Sequence, residues 1–209
     1  ERCLLAEKEL QKAGVSYTIH RNKRMKPGWK GCLSSHLKVI LSSTDEELFM
    51  FEDNLVFNAP FHWIPPTFEW DVIFLGGFIT RPWGTCKNTS HPNVYKTDGT
   101  NHGTVSYVIS SRGIAKVKSC HQMKSIDEPI DIFLGRVCNC YIWKPFIFRH
   151  NHQIQSNVNV HLDPIRRVWF SPSISTGVEW IYFHQQYVFI FIIVVILFLR
   201  IRRRGPYNE

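Results

Sequence analysis

At positions 70–77 the chain reads Trp70-Asp71-Val72-Ile73-Phe74-Leu75-Gly76-Gly77. An unbroken apolar run rich in Val, Ile and Phe, closed by a pair of glycines, is typical of a strand that is buried on both faces. We therefore predict a central strand over 71–75.

The flanking segments alternate between helix and strand patterns. Helical spacing of apolar residues predicts helices, whereas short apolar or alternating runs predict strands. The predicted order is helix 1–13, strand 15–20, helix 31–41, strand 47–51, strand 71–75, a long loop 82–103, strand 104–109, helix 114–118, an apolar run at 129–134 and a strand-like aromatic stretch at 137–148. This alternation predicts an α/β domain with a mostly parallel or mixed sheet.

Length and composition set limits on the class of protein. The 209 residues suffice for one folded domain with a short appendage, and an apolar content of 44% excludes a disordered chain. The net charge of +8 includes four arginines close to the end of the chain, where they flank a predicted membrane segment. Because this part of the charge is explained by the membrane, we expect no nucleic-acid partner. The six cysteines form no CxxC pair, and their spacing to histidines does not indicate a zinc site.

A membrane anchor is predicted near the end of the chain. The thirteen residues 187–199 contain no charged or amide side chain, and extension back to residue 181 gives nineteen, about 28 Å of helix. We predict a domain over 1–177, one transmembrane helix over 178–201 and a basic tail over 202–209. The alternative is a buried core helix or strand.

Arginines at 200–204 end the apolar run abruptly. The positive-inside rule then predicts a single-pass protein with a cytosolic tail and a lumenal or exterior domain. The triplet Asn88-Thr89-Ser90 is an N-glycosylation sequon and agrees with that orientation.

Five segments, taken in order, resemble motifs of glycosyltransferase family 25, which includes lipopolysaccharide and collagen sugar transferases. The resemblance covers 2–134 and extends to the first helix. The segments are 31–37 (Gly-Cys-Leu-Ser-Ser-His-Leu), 48–54 (Leu-Phe-Met-Phe-Glu-Asp-Asn), the "W-D-x-I-x-L-G" strand at 70–77, the "A-Y-x-I-S-x-x-G-A"-like segment at 105–115 and the "P-x-D" element at 129–131.

The resemblance implies a GT-A-like (Rossmann-like) fold and a nucleotide-sugar donor, usually a UDP-sugar. It also implies Mn2+ or Mg2+, held by Glu52 and Asp53, because a divalent cation stabilises the diphosphate leaving group. Asn54 stands where the family usually has a third acidic residue, which predicts weakened metal affinity. Asn54 and His36, together with Glu52 and Asp53, form the predicted donor site. The alternatives are a polar turn after the strand and a packing histidine in the helix.

Three further residues are candidates for the reaction and the acceptor. Asp131 interrupts an apolar run and is either the catalytic base, an acceptor-binding carboxylate or a helix N-cap. Trp83 could stack on a sugar face of the acceptor, and His102 lies in the same predicted loop. For His102 the alternative is an exposed loop histidine.

Two functions follow from these predictions. The first is an active glycosyltransferase that moves a sugar onto a hydroxyl of a protein, lipid or glycan. The second is a catalytically degenerate, membrane-anchored binding or structural protein that retains the fold. Asn54 favours the second, as does the expectation that the family's opening strand is missing.

Overall fold

A computed structural model describes residues 2–58, 60, 62–79, 86–97 and 101–151. Trp83, the predicted transmembrane helix 178–201 and the basic tail 202–209 lie outside these residues. Within the described ranges, no helix is long and apolar enough to span a bilayer.

The described chain forms four helices and eight strands, which confirms the predicted α/β class. The helices are α1 (Arg2–Lys12), α2 (Gly28–Ser42), α3 (Ser111–Met123) and α4 (Ile130–Val137). The strands are β1 (Glu47–Phe51), β2 (Leu55–Phe57), β3 (Val72–Ile79), β4 (Lys87–Asn88), β5 (Val94–Lys96), β6 (Asn101–Ser110), β7 (Cys140–Trp143) and β8 (Phe148–His150).

The strands form one mixed sheet in the order β1-β6-β3-β7-β5-β4, with β8 paired to β3 and β2 paired to β8. β6 is antiparallel to both β1 and β3, while β7 and β8 are parallel to β3. The carboxyl ends of β1, β3, β7 and β8 therefore point the same way. The predicted central strand lies in the interior of this sheet, since it pairs with β6 on one side and β7 on the other.

Several predicted boundaries are wrong, each for a physical reason. The alternating segment 15–20 forms no strand, because Val15 and Tyr17 pack against the core without a partner strand. The loop predicted over 82–103 contains β4, β5 and the start of β6. The stretch 137–148 is divided between the end of α4, β7 and the start of β8. The cysteines at its start, Cys138 and Cys140, pack in the same hydrophobic core.

Two hydrophobic cores lie on opposite faces of the sheet. On one face α2, α3 and α4 cover a cluster that includes Leu37, Phe74 and Phe133. On the other face α1 packs through Ala6 and Leu10 against a cluster rich in aromatic residues. Side chains that leave the sheet on opposite faces therefore meet different helices.

Several motif residues hold α3 against β3. The buried carboxylate of Asp71 accepts hydrogen bonds from Arg112 Nε at 2.6 Å, Lys116 Nζ at 2.5 Å and the Asn139 amide at 2.6 Å. Ser110 is the N-cap of α3, and its Oγ accepts from the Gly113 amide at 3.2 Å. A Cβ at Gly113 would lie 2.5 Å from the Asp71 carbonyl oxygen, so this close approach requires glycine.

Candidate functional site

The site begins with two residues one helical turn apart on α2. Cys32 and His36 are at i and i+4, so they lie on the same face of the helix. Cys32 is half-buried, and His36 is buried with 6% of its surface exposed. Both therefore face the interior between α2 and the sheet.

Glu52 directly follows β1 and reaches the same interior. Its amide donates to the Val105 carbonyl at 2.9 Å, which continues the pairing of β1 with β6 and fixes the backbone. Its Oε1 atom accepts a hydrogen bond from Thr104 Oγ1 at 2.6 Å. The same oxygen lies 3.9 Å from Cys32 Sγ and 3.8 Å from His36 Nε2. One carboxylate oxygen thus meets a hydroxyl, a thiol and an imidazole.

His36 is oriented from the opposite side of its ring. Its Nδ1 atom lies 2.9 Å from the Tyr107 hydroxyl, which is fully buried. Burial lowers the pKa of His36 to about 4, although the charge of Asp131 acts in the opposite direction. The ring is therefore neutral at pH 7. In the tautomer that donates its Nδ1 hydrogen to Tyr107, the lone pair of Nε2 faces Glu52; in the other tautomer Nδ1 accepts from the Tyr107 hydroxyl and Nε2 carries the hydrogen.

Burial, and then the negative charge of Glu52, raises the pKa of the Cys32 thiol well above its usual range. Cys32 is therefore protonated at neutral pH, and Sγ–H donates to Glu52 Oε1. It is not an activated nucleophile in this state, because the thiolate is the reactive form.

Asp131 closes the site from α4. It lies in the first turn of that helix, whose N-cap is Pro129, so the N-cap alternative for Asp131 is wrong. Its Oδ2 atom accepts from the Gly103 amide at 2.8 Å, next to Thr104 on β6. Asp131 is half-buried, and its charge influences the pKa values of both Cys32 and His36. We call Cys32, His36, Glu52, Thr104, Tyr107 and Asp131 the polar cluster.

Asp53 and Asn54 do not join the polar cluster. Asp53 points to α1, where its Oδ1 atom is 2.6 Å from Arg2 Nη2, and 48% of its side chain is exposed. Asn54 continues the turn into β2, and its backbone oxygen accepts from the Asn151 amide at 2.6 Å. Since α1 and α2 cover opposite faces of the sheet, Glu52 and Asp53 are directed to opposite sides.

The remaining predicted residues are spread along the chain. The backbone of His102 lies in β6 opposite Phe78, so it is part of a strand and not of a loop. Asn88 is exposed in the short strand β4, opposite Tyr95. Trp83 lies outside the described residues, so its predicted contact with the acceptor stays a prediction.

The donor atoms of the polar cluster do not match a Mn2+ or Mg2+ site built from Glu52 and Asp53. Both ions prefer carboxylate, carbonyl and water oxygens. The structure directs only one of the two carboxylates to the cluster and surrounds it with a thiol and an imidazole. No step in the proposed chemistry is therefore assigned to Mn2+ or Mg2+.

The contact of Cys32 with Glu52 was not predicted from the sequence. Nor were the hydrogen bonds of Thr104 and Tyr107 to the polar cluster. The available signal was a pair of potential metal ligands, Cys32 and His36, four residues apart in a predicted helix. They are followed by an acidic residue at a strand end, Glu52. Zinc patterns made only of cysteines and histidines do not include this combination with a carboxylate.

No model of a known protein family matches the chain, and the curated proteins contain no similar sequence. The fold, the polar cluster and the motifs in the sequence are the features that indicate a function.

Proposed function

We propose that this chain is a glycosyltransferase with a GT-A-like fold, which moves a sugar from a nucleotide donor, such as a UDP-sugar, to an acceptor hydroxyl. One observation carries the proposal: motif residues far apart in sequence meet in the polar cluster. Glu52 Oε1 lies within 4 Å of Cys32 and His36 and bonds Thr104. The residue before Thr104 in turn bonds Asp131.

The position of the cluster supports this proposal. It lies where β1 ends and beside the first half of β6, at the edge where β3 also ends. In open α/β sheets, ligands bind outside the carboxyl ends of the strands. A nucleotide-sugar bound there would lie against α2 and the start of α4.

Asp131 is the residue best suited to act on the acceptor. Its carboxylate is half-buried and held by the Gly103 amide, so it has a fixed position with access to solvent. As the acceptor oxygen forms its bond to the anomeric carbon, Asp131 would take the hydroxyl proton. The bond from that carbon to the diphosphate oxygen breaks, and the leaving diphosphate keeps the electron pair.

The test is donor binding followed by transfer. UDP or the correct UDP-sugar at a hundred times its Kd should stabilise the chain by about 2.7 kcal/mol, which is a readable shift in Tm. Asp131→Asn should keep this shift and lose sugar transfer. Asp127→Asn is the matched control, because Asp127 is exposed and pairs with Lys30. A folded parent protein that binds no nucleotide-sugar, with or without added divalent metal, would overturn the proposal.

One observation favours the degenerate alternative. Asp53 forms an ion pair with Arg2, away from Glu52, so the pair of carboxylates that the resemblance implies is not assembled. A binding or structural protein would keep the fold without turnover. This alternative predicts no stabilisation by UDP-sugars, so the same binding experiment separates the two functions.

A further inference from the structure

We propose that Cys32, His36 and Glu52 bind one Zn2+ ion. Their ligand atoms all lie within 4.8 Å of one another. The proposal goes beyond sugar transfer, since zinc binding at these residues requires no nucleotide-sugar and can be measured without one.

Two of the three distances between ligand atoms are close to those of a tetrahedral zinc site, and the third is at most 4.8 Å. Zinc bonds of about 2.3 Å to sulfur and about 2.0 Å to nitrogen or oxygen place neighbouring ligand atoms roughly 3.3–3.6 Å apart. Glu52 Oε1 is 3.9 Å from Cys32 Sγ and 3.8 Å from His36 Nε2. A small inward movement of the three side chains would bring all three ligand atoms to bonding distance from one ion.

The backbone holds these ligands in place before any metal binds. Cys32 and His36 are one turn apart on α2, the spacing with which two ligands on one helical face reach a common ion. Glu52 is fixed because its amide is bonded to Val105. Two of the ligands lie on a packed helix and the third lies at a strand end. Metal binding therefore requires little further ordering of the backbone.

Two of the ligands, His36 and Glu52, each have a hydrogen-bond partner that orients the side chain. Tyr107 contacts Nδ1 of His36 at 2.9 Å and so leaves Nε2 for the metal. Thr104 donates to Glu52 at 2.6 Å. Hydrogen bonds of this kind fix the orientation and tautomer of metal ligands, and their loss typically weakens metal binding about 10–100-fold.

Ligand type and charge favour zinc. A thiolate and an imidazole suit Zn2+, whereas Mg2+ and Mn2+ prefer oxygen ligands. The thiolate of Cys32 and the carboxylate of Glu52 neutralise the dication, which lowers the cost of burying it. Zinc binding converts the Cys32 thiol to a thiolate, and the displaced proton leaves to solvent. Three protein ligands leave a fourth position open, as in catalytic zinc sites.

The first experiment titrates Co2+, a spectroscopic substitute for Zn2+, into the full chain after treatment with chelator. We expect one equivalent to bind with a thiolate-to-cobalt charge-transfer band, and Zn2+ to displace it. Cys32→Ser should abolish this band and weaken Zn2+ binding at least about tenfold. Cys120→Ser is the control, because Cys120 is half-buried on α3 and lies outside the cluster. A band that persists in Cys32→Ser, or a parent that binds no metal, would overturn the proposal.

A second measurement needs no variant. Zn2+ should slow alkylation of Cys32 in the parent chain, read by mass spectrometry of peptides, and leave the rate at Cys120 unchanged. Equal rates at Cys32 with and without Zn2+ would contradict the site. Donor binding by the chelator-treated protein is measured separately, so loss of one proposal is distinguishable from loss of the other.

Discussion

The Thr104 hydroxyl donates to Glu52 Oε1 at 2.6 Å and thereby joins the start of β6 to the end of β1 inside the polar cluster. Thr104 is itself buried. A short hydrogen bond to a charged, half-buried carboxylate is among the stronger ones in proteins. Thr104 therefore both stabilises the domain and holds Glu52 toward Cys32 and His36.

Replacing Thr104 with the isosteric valine tests both roles, each by its own measurement. Thr104→Val should lower the free energy of unfolding by about 1.5–3 kcal/mol, because Glu52 loses a charge-assisted bond. It should also weaken Zn2+ binding about 10–100-fold, measured by competition with a chromophoric chelator. Thr89→Val is the control, since Thr89 bonds the Val94 carbonyl far from the cluster. If both variants bind Zn2+ as the parent does, Thr104 has only a structural role.

Acid stability should depend on Asp71. Burial alone would raise the pKa of its carboxyl, but hydrogen bonds from Lys116, the Asn139 amide and Arg112 outweigh burial and lower the pKa. A carboxyl whose folded pKa lies below its unfolded value of about 3.9 stabilises the fold above that value. The contribution is lost as the pH falls through the folded pKa.

The corresponding variant is Asp71→Asn. At pH 7 it should unfold at a lower urea concentration, and its free energy of unfolding should be lower by about 3 kcal/mol, because two cations lose their buried negative partner and one of the two acceptor oxygens becomes an NH2 donor. Its urea midpoint should also fall less than that of the parent between about pH 5 and pH 2. Asp127→Asn, at the exposed pair with Lys30, should keep the pH dependence of the parent. The same pH dependence in Asp71→Asn would contradict this account.

A side chain at Gly113 in helix α3 should destabilise the fold. A Cβ there would lie 2.5 Å from the Asp71 carbonyl oxygen, which is backbone and cannot move aside cheaply. Gly113→Ala should therefore cost about 1–3 kcal/mol, measured by thermal or urea unfolding. Gly31→Ala is the matched control in α2, where the nearest atom is 3.4 Å away. Because alanine is the better helix former, Gly31→Ala should be neutral or stabilising.

The parts of the fold that could be predicted are those set by local pattern. The apolar run after Asp71 and the helical spacing in α2 identify a buried strand and a helix wherever they lie in the fold. The stretch 15–20 alternates equally well, yet forms no strand, because pairing depends on a neighbour that local sequence does not specify. The mixed sheet order likewise depends on contacts between distant segments.

In the candidate site, too, local features could be predicted and contacts between distant residues could not. Glu52 could be predicted because an acidic residue at the end of an apolar strand is a local feature. The direction of Asp53 could not, because it is set by Arg2, which is 51 positions away in the chain. Similarly, His36 could be recognised as a candidate, but its ring is oriented by Tyr107 on β6, 71 positions away.

The two adjacent carboxylates should behave differently when each is removed. Asp53 is about half exposed and pairs with Arg2, so Asp53→Asn should change stability by no more than about 1 kcal/mol. It should leave Zn2+ binding and any nucleotide binding unchanged, because its side chain lies on the opposite side from the polar cluster. Glu52→Gln keeps the shape but removes a charged ligand, and should weaken Zn2+ binding more than Thr104→Val does. Calorimetric titration of both variants makes the comparison. Equal losses in the two variants would contradict this account, because they would mean that Asp53 contributes to the site as much as Glu52 does.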